Sequence, residues 1–200
     1  PCNRSIKCHF LIRQYYMSNQ TKDVKFAIYV LIAALCIISN IIALVFQFLF
    51  YELPCPLCLL QRFGFLAIGY GCILSFKNHA KIEHNIIIII SIIFTMAVAI
   101  RQVLLHIAPH DPGYGSVFLG MHFYTWSALL SVLLITSMAL LSVVDLSLHK
   151  TLLNIPYTNH VSAICKITLI ILVIINVIST YLECGFSMCP ADPTKYLLLK

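Results

Sequence analysis

The chain has 200 residues, of which 60% are hydrophobic and only 10% are charged. Soluble domains are about half apolar and about a quarter charged, so this composition excludes an ordinary soluble protein and predicts an integral membrane protein. The net charge of +6 would suggest a nucleic-acid partner in a soluble chain. In a membrane protein the basic residues are better explained as signals that orient the helices, and no nucleic-acid partner is expected.

The first 25 residues form a polar, basic segment that we expect to lie in the cytoplasm. This segment does not have the shape of a cleaved signal peptide, because the apolar run that follows is far too long and no small-residue cleavage site closes it. Met17 precedes a more ordinary chain start, so residues 1–16 are predicted to be an upstream extension.

Five apolar runs follow, and each is long enough to cross about 30 Å of hydrocarbon as a helix. The runs are Phe26–Phe50, Leu59–Phe76, Asn85–Leu105, Met121–Leu146 and Val161–Thr180. The sequence therefore predicts an all-α fold, a polytopic membrane helical bundle over residues 26–180 with a tail over residues 181–200. Residues 106–115 are rich in proline and glycine and are not expected to form regular helix.

The basic residues predict the orientation of this bundle. The N-terminal segment, the loop with Lys77 and Lys81 and the loop with Lys150 all fall on one side. The loop at Cys55 and residues 109–120 contain neither lysine nor arginine. By the positive-inside rule the N-terminus is cytoplasmic, and five crossings then place the C-terminal tail on the outer face.

Two cysteines two residues apart, Cys55 and Cys58, lie where the first apolar run ends and the second begins. Pro54 and Pro56 disfavour continuous helix through this point, so the chain should break here and restart as helix near Cys58. A thiol in the first turn of a helix faces unpaired N–H groups, and Arg62 lies one turn further along the same face; both favour the thiolate. These features predict a redox-active dithiol, since a structural disulfide here would close only a short loop and stabilise little.

A second pair, Cys184 and Cys189, lies in the tail and on the same predicted face as Cys55 and Cys58. Four cysteines on one face could instead form a zinc site, although the spacing of the second pair exceeds that of a usual zinc knuckle. An oxidising compartment also favours disulfides. Gly185 and nearby prolines suggest a mobile tail that can reach a soluble partner. Three further cysteines lie within the apolar runs and are expected to be inert: Cys36, Cys72 and Cys165.

Several polar residues lie near the outer ends of the runs or inside them. Arg101 either extends to lipid headgroups or donates to an acidic or carbonyl-bearing ligand at the interface. Three histidines at the same level leave haem or metal binding open: His106, His110 and His122. Three amides inside the runs are expected to form hydrogen bonds between helices: Asn40, Gln47 and Asn176.

An outward-facing dithiol needs an electron acceptor, because thiol–disulfide exchange only passes electrons between pairs. Cys58 beside Arg62 at the lipid–water boundary suggests a lipid-soluble two-electron acceptor, and a quinone fits. A guanidinium can donate to a quinone carbonyl and stabilise charge as it develops. We expect electrons to pass from a soluble partner to Cys184/Cys189, then to Cys55/Cys58, and then to ubiquinone or menaquinone.

At these residues the sequence resembles the disulfide bond formation protein B (DsbB) family. The resemblance covers about Ile41–Leu140 and is most specific at Phe46-Gln47, Cys55-Pro56-Leu57-Cys58 and Gln61-Arg62. It implies a helical bundle of the bacterial inner membrane that reoxidises a periplasmic, DsbA-like thioredoxin-fold dithiol oxidase and reduces quinone.

The resemblance also implies roles for individual residues. Cys55 and Cys58 would be the quinone-coupled pair, and Arg62 matches the arginine that the family places by the quinone. Arg101 corresponds loosely to a second arginine at the end of the third helix. With His106, these two arginines are the candidate cofactor-binding residues.

The sequence departs from the family in the position of the second cysteine pair. Typical members have four spans and carry that pair between spans three and four, whereas residues 106–120 contain no cysteine. A fifth span instead delivers Cys184 and Cys189 to the same face. We interpret this as a four-helix core plus a fifth C-terminal transmembrane helix that carries a relocated shuttle pair.

Two other interpretations stay open. The chain is also similar to the vitamin K epoxide reductase family, another small bundle with a Cys-x-x-Cys, although that family places its dithiol at the start of a late helix. Alternatively, a membrane metal-binding protein without enzymatic activity could use the four outer cysteines and the three histidines. The sequence does not distinguish ubiquinone from menaquinone.

Overall fold

A computed structural model describes residues 3–77, 82–147 and 158–198, with side chains for residues 25–76, 82–142 and 160–198. The helices in these ranges are α1 (Asn3–Leu49), α2 (Pro56–Lys77), α3 (Ile82–Leu105), α4 (Phe123–Ser147) and α5 (Thr158–Cys184). Two short antiparallel strands, β1 (Val117–Phe118) and β2 (Met121–His122), precede α4, and Val117 pairs with His122.

Five helices in the described ranges are long and apolar enough to cross a membrane, over Lys25–Leu49, Pro56–Phe76, Ile82–Leu105, Phe123–Ser142 and His160–Cys184. The predicted polytopic helical fold is therefore confirmed, and the chain is a multi-pass membrane protein. α1 already begins at Asn3, so the basic N-terminal segment continues the first membrane helix instead of ending before it. The loops with Lys81 and Lys150 lie outside the described residues, and the extension at residues 1–16 stays a prediction.

The break between α1 and α2 is present where the prolines predict it. α2 begins at Pro56. Proline suits this first helical position, because the N–H group that it lacks would have no partner within the helix. Tyr51, at the start of the connection, has a positive φ of 58°. The break leaves Cys55 just before α2 and Cys58 within its first turn.

Consecutive helices from α1 to α4 pack against one another, and α5 packs beside α1 and α2. Small residues allow the close approach: the side chain of Thr95 on α3 occupies the space where Gly64 of α2 would carry a Cβ atom. In the same way Leu169 of α5 fits against Gly69. Large side chains that are almost completely buried fill the interior, including Ile32, Ile68, Ile88, Ile92, Leu134 and Met138.

The segment between α3 and α4 folds over the segment between α1 and α2. The Tyr114 hydroxyl donates to the carbonyl oxygen of Leu53 at 2.6 Å, and both the backbone N–H and the hydroxyl of Ser116 donate to the Glu52 carboxylate. Burial raises the pKa of Tyr114 to about 12, so the hydroxyl keeps the proton that it donates at physiological pH. These bonds fix the chain around the Cys55–Cys58 pair.

The C-terminal tail is held against the bundle, contrary to the mobility suggested by its glycine and prolines. The backbone N–H of Leu197 donates to Glu183 O at 3.3 Å, and that of Leu198 donates to Leu182 O at 3.1 Å. Tyr196 accepts a hydrogen bond from Gln47 of α1 at 3.0 Å. Composition could not reveal these contacts, because they depend on how α5 meets α1.

Candidate active site

Cys55 and Cys58 form a disulfide at the N-terminus of α2, with their Cα atoms 5.0 Å apart. The backbone N–H of Cys58 donates to Cys55 Sγ at 3.1 Å, so the first sulfur takes the position of an N-cap acceptor. The N–H of Leu59 donates to the carbonyl oxygen of Cys55 at 3.0 Å. The predicted position of the second thiol, in the first turn of a helix, is confirmed.

Gln102 of α3 is the residue of this site that the sequence did not single out. Its Nε2 lies 3.2 Å from Cys55 Sγ and 3.4 Å from Cys58 Sγ, and its side chain is 1% exposed. Gln61 Nε2 donates to Gln102 Oε1 at 2.7 Å, which turns the Gln102 NH₂ group toward the two sulfurs. The available signal in the sequence is an uncharged N–H donor at the same predicted membrane depth as the dithiol, next to the charged Arg101.

We expect Gln102→Met to slow alkylation of reduced Cys58 about tenfold at neutral pH, because the thiolate loses an N–H donor inside the protein. The measurement is the rate of modification by a small alkylating reagent after reduction, followed by peptide mass spectrometry. Arg101→Gln changes the adjacent, exposed residue and serves as the control, which should react like the wild type. Equal rates for Gln102→Met and the wild type would show that the amide does not stabilise the thiolate.

Arg62 lies one turn beyond Cys58 and is only 9% exposed. Its Nη1 donates to Gln47 Oε1 at 2.5 Å, and its Nη2 donates to the carbonyl oxygen of Ala43 at 3.1 Å. Gln47 Nε2 donates in turn to Ser179 Oγ at 2.5 Å. The expected interhelical role of Gln47 is thus confirmed, and it ties α1 to both α2 and α5.

The same expectation is wrong for two other amides. The NH₂ group of Asn40 donates to Cys36 O at 3.0 Å, and that of Asn176 donates to Leu172 O at 2.8 Å. Both bonds stay within one helix, one turn back along the chain. The amide oxygens of Asn40 and Asn176 are buried without a hydrogen-bond partner among the described residues.

A cavity of about 550 Å³ lies beside the disulfide. Side chains of α1, α2 and α4 and of the segment before α4 line it, and most of its surface is apolar. Cys58, Arg62 and Asn40 contribute polar groups, while Phe46 and Phe123, whose rings meet edge to face at 4.7 Å, form part of the aromatic wall. Cys55 is not among the lining residues, so Cys58 is the sulfur of this pair that faces the cavity.

The structure does not bring the other two cofactor-binding candidates to this cavity. Arg101 is exposed on α3 and does not line it. The Nδ1 atom of His106 lies 3.1 Å from Asp111 Oδ1, and the imidazole stacks on Tyr124, which does line the cavity, at 5.5 Å between ring centroids. The Gly113 N–H and the His106 ring hold the pKa of Asp111 below its usual value.

Two of the three outer histidines, His106 and His122, have separate partners in the segment between α3 and α4, and His110 is exposed. His122 Nδ1 lies 3.1 Å from the carbonyl oxygen of Gly115, and its ring stacks on Tyr124. Gly113, at a φ of 72°, passes so close to the His122 ring that a Cβ atom would collide with it. Within the described residues no group of three or more His, Cys, Asp or Glu side chains is arranged to hold a metal ion.

The second predicted pair also forms a disulfide, between Cys184 at the end of α5 and Cys189, with Cα atoms 4.7 Å apart. Cys184 is buried and Cys189 is half-buried. Because Gln47 near the end of α1 bonds Ser179 near the end of α5, both disulfides lie at the same end of the bundle. The remaining cysteines in the described side chains, Cys36, Cys72 and Cys165, are free.

Comparison with known proteins shows that most residues of this site lie within a region that matches one protein family. The family model described as disulfide bond formation protein DsbB matches residues 25–141, which include the dithiol, Arg62 and Gln102 but not α5. Disulfide bond formation protein B of Chromobacterium violaceum is 33% identical over 114 residues, which is 52% of this chain and 68% of that protein. The protein of the same name from Acinetobacter baylyi is 28% identical over 92 residues, or 42% of this chain and 54% of the relative.

No solved structure matches the chain. The chain spans about two thirds and about half of the lengths of the two relatives. The family match covers more than half of the chain, from the start of the first span to near the end of the fourth. The chain therefore belongs to the DsbB family, and this membership indicates a disulfide oxidoreductase that takes part in disulfide bond formation in the membrane.

Proposed function

We propose that the chain is a quinone-dependent thiol oxidase of the bacterial inner membrane. Electrons pass from a reduced thioredoxin-fold partner to Cys184/Cys189, then to Cys55/Cys58, and then to quinone. The observation that carries the proposal is a disulfide at a helix N-terminus with one sulfur, that of Cys58, on the wall of an apolar cavity. The proposed orientation has the N-terminus in the cytoplasm and the second pair in the periplasm.

The cavity has the properties that a quinone ring requires. Its volume of about 550 Å³ is within the range of small-molecule sites, and aromatic and aliphatic side chains line most of it. Arg62 supplies N–H donors for a quinone carbonyl oxygen, and the buried Asn40 amide oxygen, without a partner among the described residues, would accept from a hydroxyl of the reduced quinol. When bound, a quinone would supply a lipid-soluble acceptor for two electrons and two protons.

The residues of the chain prepare the dithiol for this exchange. Oxidation of Cys55 and Cys58 from thiols to a disulfide releases two electrons and two protons. The Gln102 NH₂ group faces both sulfurs and can donate to a Cys58 thiolate after reduction. The Cys58 N–H at the start of α2 donates to the sulfur of Cys55. Arg62 provides a positive charge on the same cavity wall, which favours negative charge that develops there.

The second disulfide suits contact with a soluble protein. The loop that it closes exposes two apolar side chains almost completely: Phe186 is 96% and Met188 is 95% exposed. Adjacent exposed apolar side chains are typical of sites that another protein covers. We propose that a DsbA-like thioredoxin-fold protein is the partner and that Cys184/Cys189 is the pair that it reduces. This step depends on the fifth helix, which lies outside the family match.

We expect Arg62→His to raise the KM for quinone about tenfold to a hundredfold, because a buried, charged donor on the cavity wall is lost. The KM for the reduced partner should stay within about twofold, since the partner acts at another disulfide. Steady-state quinone reduction, with each substrate varied in turn, measures both constants.

The matched control is Arg101→His, an exposed arginine that does not line the cavity. Its quinone KM should equal that of the wild type. A larger effect of Arg62→His on the partner than on quinone would contradict the role proposed for Arg62, and an equal quinone effect of Arg101→His would restore Arg101 as a binding residue.

A further inference from the structure

Glu183 is a buried acid that the electron route described above does not use. It lies in the last turn of α5, directly before Cys184, and its side chain is 0% exposed. Neither carboxylate oxygen has a hydrogen-bond partner among the described residues. A buried carboxylate in a membrane protein is costly unless a positive charge or a proton compensates it, so this residue needs an explanation.

The compensating charge is on α2. Glu183 and Arg62 interact electrostatically, although the described contacts include no direct ion pair between them. Arg62 instead donates to Gln47, which donates to Ser179, one turn before Glu183 on α5. The hydrogen-bonded side chains thus run from the cavity wall to Ser179 and end one helical turn before the buried acid.

Other elements also fix the surroundings of Glu183. The backbone N–H of Leu197 donates to the Glu183 carbonyl oxygen, which holds the tail across the end of α5. The titratable groups that face the Arg62–Glu183 pair are Tyr196 from the tail and Tyr114 from the segment before α4. A phenol carries no positive charge in either protonation state, so Arg62 is the positive charge that acts on the Glu183 carboxylate.

We propose that Glu183 is the proton-exchanging counter-charge of Arg62, and hence a positioning residue for the redox site. While the cavity wall carries no negative charge, the Glu183 carboxylate balances the Arg62 guanidinium. When a negative charge forms beside Arg62, that charge takes over the balance and Glu183 accepts a proton. This inference rests on the proposed function for what the charge balance serves.

The proton balance can be written for the protein alone. After both sulfurs are reduced, Cys58–SH and the Glu183 carboxylate become the Cys58 thiolate and the protonated Glu183 carboxyl. One proton moves and no electron is transferred, so the net charge around Arg62 is conserved. When the thiolate is consumed by oxidation, Glu183 releases the proton. The pair thus stores one of the two protons that oxidation of the dithiol sets free.

Difference infrared spectroscopy on the purified full-length chain without quinone tests this proposal. The spectrum of protein reduced with a phosphine, minus that of oxidised protein, should contain a positive C=O band of a protonated carboxylic acid that shifts in D₂O. Glu183→Gln should lose the band. Asp192→Asn, which removes an exposed carboxylate from the same tail, should keep it. Absence of the band from the wild-type spectrum would overturn the proposal without reliance on any variant.

Two further outcomes separate this proposal from neighbouring explanations. The band should disappear in Cys55→Ser/Cys58→Ser, since no thiolate then forms by Arg62. A persistent band would show that proton uptake follows the tail disulfide and would overturn the proposal.

Reduced Glu183→Gln should alkylate at Cys58 about three to ten times faster than the wild type, because no carboxylate then balances the charge of Arg62. An unchanged or slower rate would contradict it. Neither measurement contains quinone, so failure of quinone reduction would leave this result intact.

Discussion

Cys58→Ser is expected to reduce quinone-dependent oxidation of a dithiol partner to the uncatalysed background. Cys58 contributes the sulfur on the cavity wall, and its N–H and the Gln102 amide hold the pair in place. A serine hydroxyl in this position neither forms a disulfide with Cys55 nor passes an electron pair to an acceptor. Loss of the quinone absorbance, followed with a reduced thioredoxin-fold protein as donor, measures the turnover.

The matched control for this variant is Cys165→Ser, which alters a free cysteine on α5 and should retain wild-type turnover. A circular dichroism spectrum and the detergent elution profile of each variant establish that the bundle is folded. Turnover by Cys58→Ser at more than about a tenth of the wild-type rate would remove the dithiol from the centre of the reaction.

Cys184→Ser/Cys189→Ser is expected to stop oxidation of the thioredoxin-fold partner while leaving the affinity for quinone unchanged. The second pair has an exposed apolar loop that a partner can cover, whereas Cys55 is buried beneath the segments that precede α2 and α4. A small dithiol that reaches Cys55/Cys58 directly should still be oxidised by this variant. Partner turnover and quinone binding, measured on the same preparation, are the two readouts.

Ser187→Ala is the control for the loop, since it removes a hydroxyl that donates to the Cys184 carbonyl oxygen at 2.8 Å but keeps both cysteines. Its partner turnover should match that of the wild type. If the double serine variant also oxidises the partner at the wild-type rate, the tail disulfide is structural and Cys55/Cys58 receives electrons without it.

The sequence predicts the helix count and the geometry at the start of α2 because both depend on local chemistry. Five long apolar runs exceed the thickness of a bilayer, whatever the packing between them. Pro54 and Pro56 interrupt the helix through their own backbones, so the break and the first-turn position of Cys58 follow from a few adjacent residues.

The orientation of each helix about its own axis could not be predicted in the same way. The run that forms α3 opens with consecutive isoleucines, so these turns are apolar on every side and do not show which face meets the bundle. Packing turns Gln102 inward and leaves its neighbour Arg101 exposed. The charge of Arg101 had instead made that residue the candidate for the site. In a membrane protein, apolar residues face both lipid and core, and periodicity loses its value as a guide.

Long-range contacts explain the remaining differences. Tyr196 of the tail is bonded to Gln47 of α1, which is 149 positions away along the chain. The strands β1 and β2 are two residues long, too short for an alternating pattern to be recognised. Glu183 is the only acid in α5 and lies at the end of the apolar run, a position typical of an interfacial residue, yet its side chain is buried.

A single turnover without a protein partner tests the central claim most directly. Purified chain is reduced, freed of reductant and mixed with excess quinone in the absence of oxygen, and quinol and free thiols are counted together. The account predicts one quinol for every two thiols lost, with Cys55–Cys58 recovered as a disulfide by peptide mass spectrometry. Thiols that persist beside unchanged quinone would contradict it.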